Sequence, residues 1–188
     1  MLIGRTSRFL IATCLLTQPL WAQTVQMDAQ IRVVPGPLSV LAAPSVLEFP
    51  DVVVNPDGVW LEALRAPEFR IVDARGTAQG WHLSLQAQDL IHLGRGNSLG
   101  SRLFFQGRAD SSRVFPVSGD PVSTALGPRE VGDRVDLKDG KVLYCLSGSG
   151  RGIYWWTPDA HQFSLWIPGD PVPGRYQGQI TITVVGQP

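Results

Sequence analysis

The feature that most restricts the fold is alternation with a period of two. WHLSLQA places Trp81, Leu83, Leu85 and Ala87 on one side, and His82, Ser84 and Gln86 on the other. RYQGQITITVV does the same with Tyr176, Ile180, Ile182 and Val184, and TVQMDAQIRVV with Val25, Met27, Ala29, Ile31 and Val33. Successive side chains of a strand point to opposite faces, so this pattern marks strands with one buried face. Helical spacing is scarce. VWLEALRA, residues 59–66, reads equally as one helical turn or as a strand.

Shorter apolar runs suggest further strands at Val46–Phe49, Val52–Val54, Phe69–Val72, Leu103–Gln106, Arg113–Val117, Ile153–Trp156 and Gln162–Ile167. The chain holds 20 Gly and 15 Pro, and they punctuate it often, as turn formers do. Asp139–Gly140 in VDLKDGKVLYCL sits between two alternating runs, which predicts a hairpin. SGSGRG, residues 147–152, reads as a flexible hairpin loop, and residues 118–134 as a long polar loop. Many short strands between Gly/Pro turns give an all-β expectation: one antiparallel β-sandwich, Ig-like or jelly-roll-like.

The first residues carry a different signal. Arg5 and Arg8 precede an apolar run, Phe9–Leu16, that is too short to span a bilayer, and Ala22 ends the stretch. Residues 1–22 therefore read as a secretory signal peptide, and residues 23–188 as a single domain. Thr13 before Cys14 departs from a lipoprotein pattern. Without Arg5 and Arg8 the charge is 14 basic (16 minus 2) against 16 acidic residues, which lacks the basic footprint of a nucleic-acid binder. No later segment is apolar enough to cross a membrane as a helix, so the chain is not expected to span one. Cys145 is then the lone cysteine, either a buried inert thiol or one half of an interchain disulfide.

A search for catalytic chemistry finds little. His82, His92 and His161 have no zinc-ligand spacing, and a lone Cys excludes a thiolate cluster. His82 and His161 are expected on the outward phase of strands. There is no Gly-x-Ser-x-Gly elbow, and SGSGRG lacks the lysine of a phosphate loop. Asp57, Asp139, Asp159 and Asp170 each adjoin Gly or Pro, as turn residues do. No enzyme activity, metal or cofactor is expected. The aromatic residues offer more. IYWW sets Trp155 and Trp156 on opposite faces of a strand, so one of them should face away from the core, where a Trp can stack on a sugar or anchor a partner. Trp60 and Trp166 carry less weight.

Two blocks resemble a known family. FRIVDARGTAQGWHLSLQAQDL is similar to the first signature block of the WxL domain, a bacterial cell-surface domain. The matching positions are Asp73, Arg75, Gly76, Gly80, Trp81 and Leu83. GSGRGIYWWTPDAHQFSLWIPGDPVPGRYQGQITITVV resembles the family's closing block through Gly152, Tyr154, Leu165, Pro168, Gly174, Tyr176 and Gly178. The resemblance covers residues 46–186, with a weak middle. The family's second Trp-x-Leu is missing: the last strand has Ile180, Thr181 and Ile182 in its place.

The resemblance implies a secreted, non-catalytic surface protein that holds to peptidoglycan or another wall polymer without a covalent bond. It implies partners among other surface proteins, such as a WxL-interacting protein. The residues expected to carry binding are Asp73, Arg75, Trp81, Leu83, Tyr154, Trp155 and Trp156. On physical grounds Trp81 belongs in the core, and Arg75 forks onto a carboxylate, either within the fold or on an acidic polymer. Two other readings remain open: a pilin-like structural subunit of a surface fibre or coat, and a secreted carbohydrate-binding domain.

Overall fold

The computed structural model describes residues 30–100 and 102–187. The expected signal peptide and residues 25–29 of the first expected strand lie outside the described residues, and residues 30–34 carry no strand. The chain divides into two units, Met1–Val33 and Val34–Pro188, and the fold is that of the second.

Its strands run in chain order as β1 (Leu38–Ala42), β2 (Val59–Glu62), β3 (Phe69–Asp73), β4 (Trp81–Ala87) and β5 (Ile91–His92). Next come β6 (Leu103–Gln106), β7 (Val114–Gly119), β8 (Arg129–Glu130), β9 (Arg134–Asp136) and β10 (Gly140–Cys145). The series closes with β11 (Gly152–Trp156), β12 (Phe163–Ile167), β13 (Tyr176–Gln177) and β14 (Ile180–Gly186), with one 3-10 turn at Ala160–Gln162. They form three four-stranded antiparallel sheets, ordered β1-β3-β11-β7, β14-β4-β10-β8 and β2-β12-β6-β9, plus the two-stranded ribbon β13-β5. The chain is thus an all-β protein of packed antiparallel sheets, consistent with a sandwich.

The alternation of the sequence sets the core. Phe69 and Ile71 of β3, with Tyr154 and Trp156 of β11, line the inner face of the first sheet. Trp81, Leu83 and Leu85 of β4, with Leu143 and Cys145 of β10, line the second. Phe105 of β6 and Phe163 and Leu165 of β12 line the third. Aromatic rings join the layers: Trp81 lies 6.1 Å from Tyr154, and Phe105 meets Trp156 edge-on at 5.6 Å.

Several expected elements change. Val46–Phe49 and Val52–Val54 form no strand. Leu47 and Phe49 instead pack against the core from a loop, and Val53 is exposed. The Asp139–Gly140 hairpin does not form. A turn does occur there, but β9 pairs with β6 and β10 with β4, in different sheets. Leu137, fully buried, makes the crossing: its N–H donates to the Leu103 carbonyl, and its own carbonyl accepts from Ala87 N–H. The Gly-rich stretch 147–152 is likewise a crossing between sheets, because β10 and β11 belong to different ones. Residues 118–134 include the end of β7 and all of β8, and their Glu130 is buried.

Candidate functional site

The residues of the first motif block form a structural lock. Asp73 ends β3 and is 2% exposed. Its Oδ1 accepts from Arg75 Nε at 2.9 Å and from the Arg75 backbone N–H at 3.1 Å, and its Oδ2 accepts from Nη2 at 2.8 Å. Arg75 Nη2 also donates to the Gly80 carbonyl at 2.8 Å. The hydrogen bond to Asp73 raises the Arg75 pKa above its ordinary value. The guanidinium therefore forks onto a carboxylate within the fold, closing the turn that delivers the chain to β4.

Trp81 then enters the core with no exposure, and its Nε1–H donates to the Gly150 carbonyl at 2.9 Å. Gly150 has a φ of +96°, and a Cβ there would come within 2.6 Å of Cys145 Sγ and 2.7 Å of Trp81 Nε1. Only glycine fits at that close approach. The two sequence blocks thus meet physically: Trp81 of the first holds the Gly-rich crossing that opens the second, and Gly152 pairs with Asp73.

Burial corrects the expected binding set. Trp81, Leu83, Tyr154 and Trp156 are all 0% exposed, so none presents a surface to a polymer. The Tyr154 hydroxyl lies 2.9 Å from the Asp120 carbonyl and 3.0 Å from that of Arg151, and burial pushes its pKa up. Trp156 Nε1–H donates to Glu130 Oε1 at 2.9 Å. Glu130 Oε2 accepts from Gln162 Nε2 at 2.7 Å and from the Arg108 backbone N–H at 3.1 Å. A buried carboxylate with three donors is a core network, and it ties β8 to β11 and the 3-10 turn. Of the aromatic residues in that set, only Trp155 faces outward. It is half-buried, with the Arg70 guanidinium 5.7 Å from its ring and Phe115 of β7 as its cross-strand neighbour.

The solvent face of the β2-β12-β6-β9 sheet carries what the sequence reading underweighted. Trp60 pairs with Trp166 across β2 and β12, their rings 5.0 Å apart. Phe104 of β6 stands edge-on to Trp60 at 5.3 Å. Arg134 of β9 lies over both, 3.9 Å from the Trp60 ring and 4.4 Å from Phe104, and its Nη2 donates to Ser164 Oγ at 3.2 Å. Trp60, Phe104, Trp166 and Arg102 line an open cleft of about 200 Å³, and Trp60 is 46% exposed. Gly58, φ +73°, makes room for this arrangement, since a Cβ there would strike the Trp166 ring at 2.4 Å. The signal was in the alternation: FSLWI buries Phe163, Leu165 and Ile167, which leaves Trp166 on the outward phase with Ser164.

The remaining chemistry is structural. His92 is buried, and its Nδ1 accepts from the backbone N–H groups of Gly94 and Arg95, at 2.9 and 3.0 Å. That leaves Nε2 as the donor to the Pro173 carbonyl at 3.1 Å. His161 lies in the 3-10 turn rather than on a strand. Cys145 is free and buried, and burial pushes its thiol up to about 11. Among the described residues no three His, Cys, Asp or Glu side chains come together as a metal site requires, and no helix is long and apolar enough to cross a membrane. No protein-family model, curated protein or solved structure matches the chain.

Proposed function

We propose that this chain is a secreted, non-catalytic surface domain that holds to a wall glycan, peptidoglycan first, through the outward face of the β2-β12-β6-β9 sheet. The observation that carries the reading is the row Trp60–Trp166–Phe104, set with Arg134 on the solvent side of a sheet whose other side is core. Solvent-facing aromatic residues are a cost unless something covers them, and a joined cluster marks a binding surface. The C–H bonds on a sugar ring's flat face carry partial positive charge, which suits the negative face of an indole. The resemblance to the WxL domain and the signal-peptide pattern of residues 1–22 support the placement at a cell surface.

The family-like residues then build the scaffold. Asp73, Arg75, Trp81, Leu83, Tyr154 and Trp156 hold the sheets in register, and binding falls to Trp60, Phe104 and Trp166, none of which is a matched position of either block. A sedimentation assay on purified peptidoglycan tests this. The protein should pellet with the polymer, Trp60→Ala/Trp166→Ala should stay in solution, and Trp155→Ala should still pellet. Pelleting no greater than that of an unrelated sandwich protein would overturn the proposal.

A further inference from the structure

The two arginines beside the cleft define the ligand further. Arg102 and Arg134 are both exposed, and neither forms an ion pair among the described residues. Arg102 Nε is tied to the Leu99 carbonyl at 2.8 Å, which fixes the guanidinium at the cleft and leaves its terminal nitrogens for another acceptor. Arg134 lies over Trp60 and Phe104 and spends one nitrogen on Ser164 Oγ. Glu62 pairs across from Ser164, and Asp136 across from Phe104, so both lie on the same face. Neither makes an ion pair with the two arginines, and the Asp136 Oδ1 accepts the Lys138 backbone N–H instead. Two guanidiniums without carboxylate partners, one in the lining of the aromatic cleft and one over two of its rings, match a sugar that carries anionic groups.

We infer that the platform takes an acidic glycan, whose carboxylate or phosphate groups are received by Arg102 and Arg134 while a ring packs into the cleft lined by Trp60, Phe104 and Trp166. This rests on the glycan-binding reading of the same surface. Recognition of this kind weakens as salt rises, because both arginines stand in solvent.

Affinity electrophoresis in gels containing cellulose derivatives tests it. Hydroxyethylcellulose, carboxymethylcellulose and phosphorylated cellulose share a backbone and differ in the charged group. The wild-type protein should bind at least one anionic polymer roughly tenfold more tightly than the neutral one, the factor expected of two added charge-assisted contacts. The favoured polymer identifies carboxylate or phosphate as the partner. Arg102→Gln/Arg134→Gln should abolish that preference and keep the neutral-polymer retardation. Arg65→Gln/Arg95→Gln removes the same charge from exposed positions elsewhere and should leave the preference intact. Equal retardation by neutral and anionic polymers overturns the acidic-glycan inference while leaving the glycan reading in place. So does an anionic preference lost equally in both double variants. Retardation by none of the three polymers overturns the acidic-glycan inference, and if the protein also fails to pellet with peptidoglycan the glycan reading falls with it.

Discussion

Tryptophans of one residue type do opposite work here, and the hydrogen bond of the indole separates them. Trp81 and Trp156 are buried and each donates Nε1–H, to the Gly150 carbonyl and to Glu130 respectively. Trp81→Ala strands that buried carbonyl and empties a fully buried site, so it should cost about 4 kcal/mol or more. Trp60, 46% exposed, packs on Trp166, Phe104 and Arg134, so Trp60→Ala should cost only about 1–2 kcal/mol. Chemical denaturation of the two variants measures the contrast, and equal losses would contradict it. Cys145 offers a second reading of burial. Its folded pKa is raised from 9.0 to about 11, so the unfolded thiol ionises first as pH rises. Its contribution to stability is complete below pH 9 and is lost between 9 and 11. Iodoacetamide at pH 8 should leave the folded thiol unmodified and label it on unfolding, which mass spectrometry reads directly.

At the scale of elements, the crossing from β10 to β11 is held by close approach rather than by turn conformation alone. Gly76 and Gly150 both have positive φ, but a Cβ at Gly76 meets nothing within 4 Å, whereas at Gly150 it meets Cys145 and Trp81. Gly76→Ala should therefore cost about 1–2 kcal/mol from left-handed strain. Gly150→Ala should cost about 1–3 kcal/mol more, since an overpacked core must also give way. Thermal unfolding ranks the two. The two seven-residue strands, β4 and β14, were legible because apolar residues alternate along them, onto a buried face in β4 and a half-buried one in β14. Phe69–Val72 and Leu103–Gln106 were legible for the same reason. Strand pairing was not. Asp139–Gly140 carries a hairpin's residues, yet Leu137 bonds backward to β6 and forward to β4, so the turn changes sheets. Local sequence specifies a turn; which sheet receives the next strand depends on packing from distant residues. Leu47 and Phe49 show the converse: apolar side chains that reach the core from a loop.

For the whole molecule, the residues of the two sequence motifs and the residues that offer a surface are different sets. Asp73, Arg75, Trp81 and Trp156 were readable as a pattern, but a sequence motif does not state whether a ring points in or out. Trp155 and Trp156 drew attention by being adjacent, and only one of them faces outward. Trp60, Phe104 and Trp166 are far apart in sequence and become neighbours only when β2, β12 and β6 pair. That assembly is why the platform was not legible, although the outward phase of each residue was. The free margin of β7 illustrates how the fold limits other associations. Phe115 and Val117 are exposed there, but Pro116 has no N–H to extend a ladder, so strand addition along this edge is disfavoured.

The central claim is that glycan contact falls on Trp60 and Trp166 and not on the buried motif tryptophans. A proton–nitrogen correlation spectrum resolves each indole N–H, and Trp→Phe substitutions assign Trp60, Trp81, Trp155, Trp156 and Trp166. On titration with soluble fragments of digested peptidoglycan, the Trp60 and Trp166 signals should move with increasing ligand while those of Trp81 and Trp156 stay fixed. Movement confined to Trp155, or no movement at any indole, would contradict the account.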